Sequence, residues 1–305
     1  MDSKQKASLF AIISALILAG SKFSTGLISG SMAVVSSGLD SLLDVFMSAM
    51  NFLAIRKAIQ PPDSNHPYGH GKAENLAAIL QTIVIVFSGS YIMVTSAQKW
   101  IGYQKIHYSP LDLGVMLLSL VFSFFISRRL KKTGEITGSQ ALKADALHYS
   151  SDLYSNSAAL LAIVLTYVTG QILFDLLFAV IVGGIIIYSA GMIAKKALFG
   201  LMDSCIPKET EEQLIDLLEG MPYPFAGFHK LRTRISGSKI YGDLHVLFCR
   251  MLKVDEAHDR TRELESEITR KIPSMDIIIH IEPCEEPCEN TRESCKIRTP
   301  QKNRG

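Results

Sequence analysis

The sequence predicts a six-helix transmembrane bundle followed by a small α+β domain. The chain of 305 residues is 48% hydrophobic and has a mean hydropathy of +0.23, which is typical of a chain partly embedded in lipid. Its long apolar runs lie within residues 1–200, whereas residues 207–305 are dense in Lys, Arg, Glu and Asp. We therefore expect a transmembrane domain over residues 1–206 and a soluble domain over residues 207–284.

Six apolar segments approach or exceed the ~20 residues that a helix needs to cross the hydrocarbon core of a bilayer. They cover roughly residues 7–29, 33–56, 75–98, 111–128, 140–168 and 172–194. No small-residue cleavage site accompanies the first segment, so we expect a membrane helix there rather than a signal peptide.

The basic residues between these spans predict the orientation of the bundle. Lys and Arg are concentrated after the even-numbered spans, at 56–57, 72, 128–132 and 195–196, while the loops after spans one and five contain none and the loop after span three contains only Lys99 and Lys105. Because cytoplasmic loops carry the excess of Lys and Arg, we expect both termini to be cytoplasmic.

The soluble domain is predicted to have the element order αββαβ. Leucines recur at helical spacing in its first segment, and two alternating runs joined by Ser-Gly-Ser at 236–238 are typical of a strand pair. A charged helix and a last strand follow. The predicted elements are helix Lys208–Leu218, strands His229–Ile235 and Lys239–Phe248, helix Val254–Lys271 and strand Met275–Ile281.

Charge and cysteine content exclude some functions. A net charge of +2 with dispersed basic residues does not favour nucleic acid as a partner. The five cysteines suit a reducing cytoplasm better than a disulfide framework. Residues 285–305 are polar and without periodicity, so we expect a disordered tail. Its Cys288 and Cys295 do not have the spacing of a closed zinc site.

Ionisable side chains inside the predicted spans are the strongest functional signal, because each costs roughly 3 kcal/mol to insert. Asp40 and Asp44 lie four residues apart in the second span, and His148 and Asp152 have the same spacing in the fifth. This spacing places each pair on one helix face. Two facing helices would then supply three carboxylates and one imidazole, a tetrahedral set that suits Zn²⁺, Fe²⁺, Co²⁺ or Cd²⁺ better than Mg²⁺ or Ca²⁺.

The alternative is that these four side chains pair with one another or with Lys22 and only stabilise the bundle. The matched spacing on two helices favours the metal site. Asp145 lies three residues before His148 and nearer the predicted cytoplasmic end. For Asp145 we expect a structural role, or a role in admitting the ion, instead of ligation.

Two further groups of potential ligands lie outside the spans. Asp63, His66 and His70, in the loop after the second span, could form a metal site that faces the cytoplasm, although their spacing alone is equally typical of a solvated loop. The soluble domain contributes His229, His245, His258, His280 and Glu282.

Three motifs together resemble the cation diffusion facilitator family, and specifically its bacterial zinc- and iron-type efflux members. They are Asp-Ser-Leu-Leu-Asp at 40–44, Asn-His-Pro-Tyr-Gly-His-Gly-Lys-Ala-Glu at 65–74 and Ala-Asp-Ala-Leu-His-Tyr-Ser-Ser-Asp at 144–152. The resemblance covers about residues 7–284. It implies a homodimer in which each protomer has six membrane helices and a cytoplasmic, metallochaperone-like domain where the subunits meet.

The resemblance also implies three kinds of metal site: a transport site at the four intramembrane residues, a loop site, and a two-metal site in the soluble domain. The acidic residue of the last is an aspartate in similar proteins, whereas it is Glu282 here. Lys72 and Asp203 resemble a charge pair that holds helices near the dimer interface.

These features predict a proton-coupled antiporter that exports divalent transition-metal ions across a bacterial inner membrane. Metal and protons would compete for the same carboxylates and imidazole, so an inward proton gradient could drive metal out. His148 is the expected proton carrier, because the ordinary pKa of an imidazole lies near neutrality. We expect the soluble-domain sites to sense cytoplasmic metal and stabilise the active dimer.

Two other functions use the same residues. An intramembrane metal-dependent hydrolase would activate water at such a site, but the sequence has no His-Glu-x-x-His and no glutamate deep in a span. A channel or a metal receptor without proton coupling is a further interpretation of the same site. A channel would conduct faster than a carrier and would ignore a pH gradient.

Overall fold

The computed structural model of the chain describes residues 2–29, 32–101, 110–169, 173–221 and 225–284. The predicted tail over residues 285–305, with Cys288 and Cys295, lies outside these residues. The chain divides into two compact units, Met1–Leu201 and Met202–Gly305.

Among its described residues, the first unit contains six long helices, one for each predicted span. Each has 27 to 30 residues, which is more than a helix needs to cross the hydrocarbon core of a bilayer. They are α1 Ser3–Ser29, α2 Met32–Ala58, α3 Ala73–Ile101, α4 Pro110–Thr137, α5 Gln140–Thr169 and α6 Leu173–Leu201.

Within the described residues, four of these helices, α1, α2, α3 and α6, are long and apolar enough to cross a membrane by composition alone. The other two are more polar. α4 ends in a basic segment around Arg128 and Lys132, and α5 carries Asp145, His148 and Asp152. Their polar residues lower the hydropathy of helices that are still of membrane-spanning length.

The helices pack mainly as the pairs α1 with α2, α3 with α6, and α4 with α5. Small residues allow the backbones of α3 and α6 to approach each other closely. A Cβ on Gly183 of α6 would lie 2.5 Å from the side chain of Met93 in α3, and a Cβ on Gly89 would meet the side chain of Ile187 at 3.2 Å. Such small-residue contacts are typical of membrane helix pairs. Large apolar side chains such as Phe87 and Tyr188 are left exposed on the outside, as expected for a surface in contact with lipid.

In its described residues, the second unit is an α+β domain with three strands, as predicted, and these strands form a mixed sheet. Strands β1 and β2 are antiparallel, and β2 and β3 are parallel. The elements are α7 Lys208–Glu219, β1 Gly227–Ser236, β2 Lys239–Phe248, α8 Val254–Lys271 and β3 Met275–Pro283.

One face of the sheet is the hydrophobic core of this domain. Alternate residues of β2, such as Leu244 and Val246, are buried together with Leu218 of α7 and with Leu264 and Ile268 of α8. Because side chains alternate across a strand, the residues between these positions lie on the opposite face of the sheet. That face carries the histidines.

Candidate metal centres

The first candidate metal centre lies between α2 and α5 in the membrane unit. Ligand atoms of Asp44, His148 and Asp152 lie within 4.8 Å of one another. His148 Nε2 is 2.9 Å from Asp44 Oδ1, so the imidazole N–H donates to the carboxylate. A divalent ion bound here would take the position of that proton. The side chains of Asp44 and His148 are 18% and 11% exposed, so the cluster is largely covered but not sealed.

Asp40 is the predicted ligand that the structure does not bring into this cluster. It lies one turn before Asp44 on α2, and its side chain is exposed. Lys22 of α1, the predicted alternative partner of the acidic residues, donates instead to the hydroxyl of Ser41 at 2.8 Å.

A buried polar network lies beside this cluster. Asp145 is fully buried and accepts hydrogen bonds from the Ser48 hydroxyl and the Gln81 amide, both at 3.1 Å. Tyr149 lies 3.0 Å from the same Ser48 hydroxyl, and Asn51 donates to Gln81. The network joins α2, α3 and α5. The structural role predicted for Asp145 is consistent with these contacts.

The second candidate centre is in the loop between α2 and α3. Asp63, His66 and His70 have ligand atoms within 4.8 Å of one another. Reciprocal backbone hydrogen bonds between Asp63 and His66 close the loop, and Gly69 turns it with a φ of +77°. His66 Nδ1 and His70 Nε2 lie 3.1 and 3.2 Å from the Asp63 carboxylate. Partial desolvation raises the pKa of Asp63. Hydrogen bonds from the backbone and ring of His66 and from the backbone of Asn65 have the larger, opposite effect, so the pKa of Asp63 lies below its ordinary value.

The third candidate centre lies on the exposed face of the sheet. The strand register aligns three histidines across it, since His229 pairs with His245 and His245 pairs with His280. Glu282 follows His280 by two residues and therefore points to the same face. Its Oε1 is 2.6 Å from His245 Nδ1, and its Oε2 is 2.9 Å from His229 Nε2. His280 Nε2 lies farther off, at 3.9 Å from Oε1.

Hydrogen bonding tunes the carboxylate of this centre. The hydrogen bond donated by His245 lowers the pKa of Glu282 below its ordinary value, and this outweighs the effect of lost water. Each oxygen of the carboxylate faces a different imidazole. Glu282 is therefore held ionised, and in a position from which its two oxygens can reach separate ions.

His258 is not brought to the histidine cluster. It is exposed on α8, whose buried residues, including Leu264, pack in the core on the other side of the sheet. Its predicted role as a ligand stays a prediction. The predicted pairing of Lys72 with Asp203 also stays a prediction.

Sequence reasoning missed Ser48, Asn51 and Gln81 around Asp145. A signal was present, because each is a polar residue inside a predicted span. Polar side chains in lipid pair with one another across helices, and this tendency could have linked them to Asp145.

Comparison with known proteins identifies the family. The cation efflux transmembrane domain matches residues 8–202, and the cytoplasmic domain of cation efflux proteins matches residues 206–284. The chain belongs to the cation efflux family. The resemblance to the cation diffusion facilitators is thereby confirmed, and the chain is a membrane transporter of divalent metal cations. Members of the family are transporters rather than enzymes, which disfavours the hydrolase.

Relatives match over most of the chain. The cation-efflux pump FieF of Pectobacterium atrosepticum is 36% identical over 264 residues, which cover 87% of each chain. The cation-efflux pump FieF of Salmonella arizonae is 34% identical over 279 residues, which cover 92% of each chain. Among solved structures, the metal-bound C-terminal domain of the CzcD transporter from Thermotoga maritima is 23% identical. It covers 26% of this chain and 91% of its own, with a TM-score of 0.24.

Proposed function

We propose that this cation efflux protein is a proton-coupled antiporter that exports Zn²⁺ or Fe²⁺, and also accepts Cd²⁺ or Co²⁺, in exchange for protons. The observation that carries the proposal is the cluster of Asp44, His148 and Asp152 between two membrane helices. An ionisable cluster in this position is costly to insert and is therefore expected to serve an ion or proton pathway. Asp40 completes the transport site by a change of its side-chain rotamer, since it lies one turn from Asp44 on the same face.

The donor set explains the exchange. The three side chains of the cluster can hold one divalent ion or, in its absence, protons, but not both. In the hydrogen bond between His148 and Asp44, a proton occupies the space between the two ligand atoms that a metal ion would take. Metal binding from the cytoplasm would release protons there. Reprotonation from the opposite, more acidic side would expel the metal.

The same donors favour late transition metals. Imidazole with carboxylates binds Zn²⁺, Fe²⁺, Co²⁺ and Cd²⁺ in four-coordinate sites, whereas Ca²⁺ and Mg²⁺ require six or more oxygens. The names of the FieF relatives and the family assignment are consistent with a divalent metal as the transported substrate. We place the protein in a bacterial inner membrane with both termini in the cytoplasm, on the basis of its family and its Lys and Arg distribution.

The soluble domain is proposed to sense metal in a homodimer. His229, His245, His280 and Glu282 of this domain would bind regulatory ions, with His258 as a further ligand. The loop residues Asp63, His66 and His70 would bind another ion. If this is so, added Zn²⁺ should tighten the wild-type dimer in analytical ultracentrifugation but not the His245→Ala dimer. Equal tightening of both would remove the sensing role.

The transport proposal is tested with purified protein in liposomes that contain a fluorescent metal indicator. An imposed pH gradient should drive Zn²⁺ and Fe²⁺ uptake by the wild type, and Asp44→Asn and His148→Ala should each abolish the gradient-driven part. Thr95→Val is the control, because Thr95 only donates to backbone carbonyls of its own helix. It should transport as the wild type does.

The outcomes separate the alternatives. Flux lost in both site variants but retained in the control supports the antiporter, and the ratio of the two metals identifies the preferred substrate. Flux that ignores the pH gradient would favour a channel. Flux that survives both substitutions would place the transport site elsewhere.

A further inference from the structure

A cavity of about 920 Å³ lies among α4, α5 and α6, and neither the proposed transport nor the proposed sensing uses it. On α5 it is lined by Lys143, Ser150, Tyr154 and Leu161, among others. Successive residues turn by about 100° on a helix, so this stripe lies on the side of α5 opposite to His148. The cavity and the metal cluster therefore occupy different faces of one helix.

One end of the cavity is basic. Three lysines, one from each helix, line it: Lys131 of α4, Lys143 of α5 and Lys196 of α6. Among the described residues that line the cavity, Glu135 is the one acidic side chain, which leaves an excess of two positive charges. Within the described part of the chain, none of the three lysines forms an ion pair shorter than 4 Å. Lys143 interacts electrostatically with Glu135 and Glu74, so the protein neutralises this positive charge only in part.

The rest of the cavity is a mainly apolar groove along the membrane-spanning helices, with Ser150, Ser157 and Ser189 among its lining residues. Its walls include Leu147 on α5 and Val182 and Ile185 on α6, and it reaches Leu161 and Phe178 at the far end. The groove extends over 18 residues of each helix, from Lys143 to Leu161 on α5 and from Phe178 to Lys196 on α6, which corresponds to roughly 27 Å. This length is close to the ~30 Å of a bilayer's hydrocarbon core.

We propose that this cavity binds one anionic phospholipid, with its phosphate between the three lysines and an acyl chain along the groove between α5 and α6. A basic pocket between membrane helices at the cytoplasmic side is a typical headgroup site. The lysines select net negative lipids, because the ammonium of a zwitterionic headgroup would lie beside three like charges. On the proposed topology, the lipid belongs to the cytoplasmic leaflet.

The site is tested by native mass spectrometry of the full-length protein titrated with phosphatidylglycerol or phosphatidylcholine. The test variant carries Lys143→Gln and Lys196→Gln. The control carries Lys132→Gln and Lys195→Gln, which remove the same charge from neighbouring exposed lysines that do not line the cavity. Phosphatidylglycerol binding should weaken roughly thirty-fold in the test variant, from the attraction expected of two lysines, and little in the control.

Three results would overturn the proposal. Equal loss in test and control variants would mean a general effect of surface charge. Equal binding of the two lipids by the wild type would remove the headgroup selectivity. Inorganic phosphate displacing phosphatidylglycerol at equal concentration would indicate an anion site without a role for the acyl chain. If the double variant does not fold, as judged by circular dichroism, the single variant Lys196→Gln at an exposed position should still show a loss of about fivefold.

Discussion

At the scale of single residues, spacing predicted which side chains share a face but not which of them meet. The i, i+4 spacing within each helix predicted that Asp44 and His148 belong to one site, and their side chains form a hydrogen bond. Asp40 has the same spacing, yet its side chain is exposed and outside the cluster. Helical periodicity fixes the direction of a Cα–Cβ bond, whereas the rotamer beyond it depends on packing that a sequence does not contain.

The alignment of His229, His245 and His280 was likewise beyond the sequence. Alternation predicted three strands, but the register between β2 and β3 depends on how α8 returns the chain to the sheet. That register is what gives Glu282 two imidazole partners in hydrogen-bonding distance.

The ionised carboxylate of Glu282 should stabilise the soluble domain in a pH-dependent way. The hydrogen bond from His245 holds its folded-state pKa below the ordinary value of 4.5. A carboxyl with a lowered folded pKa contributes stability above its unfolded pKa, and the contribution is lost as the pH falls through the folded pKa. In Glu282→Gln, β2 and β3 amides should therefore exchange hydrogen faster than in the wild type at about pH 6, with the difference vanishing towards about pH 3.

Hydrogen exchange of the full-length protein without metal, followed by mass spectrometry, measures this difference. Asp276→Asn is the control, since Asp276 is exposed on β3 and belongs to no ligand cluster. Its exchange should match the wild type throughout. A difference between Glu282→Gln and the wild type that is constant over the pH range would contradict the assigned interaction.

At the scale of elements, the sequence located every described helix but underestimated the lengths of the six membrane helices. The span predicted at 111–128 is part of α4, which continues to Thr137 through a basic segment, and α1 begins at Ser3 rather than residue 7. Hydropathy detects the part of a helix that matches hydrocarbon, while backbone hydrogen bonding continues into the polar interface. The four charged or titratable side chains of α5, Lys143, Asp145, His148 and Asp152, lower its hydropathy, although its span was still predicted at 140–168.

Close packing between α3 and α6 should depend on Gly183. A Cβ there would meet Met93 Cγ at 2.5 Å and the Gly89 carbonyl at 3.1 Å, so a larger residue must push the helices apart. Gly183→Val should cost on the order of 1–3 kcal/mol through overpacking. The effect is measurable as a lower thermal unfolding temperature of the protein in detergent.

The adjacent glycine provides the control for this prediction. A Cβ on Gly184 has no atom within 4 Å among those it could meet, so Gly184→Val adds the same β-branched side chain on a free surface of the same helix. Its unfolding temperature should stay close to that of the wild type. Equal loss in both variants would mean that helix propensity, and not the contact with α3, determines the effect.

At the scale of the whole molecule, composition and charge predicted a membrane bundle followed by a soluble αββαβ domain. They could not predict that α3 pairs with α6, or that α5 presents a metal cluster on one face and a basic cavity on the other. Those features depend on which helix faces meet, and almost every face of a membrane helix is apolar. The polar residues within the spans are therefore the informative ones, and they predicted that Asp44, His148 and Asp152 lie together but also placed Asp40 with them.

The central claim is that one cluster exchanges a divalent metal for protons. It is tested most directly by recording Zn²⁺ and internal pH together in liposomes that contain the wild-type protein and start without a pH gradient. Inward Zn²⁺ movement should raise the internal pH as protons leave, and Asp44→Asn should abolish both signals. Entry of Zn²⁺ with no change in internal pH, after membrane potential is clamped, would contradict the account and assign the protein as a channel.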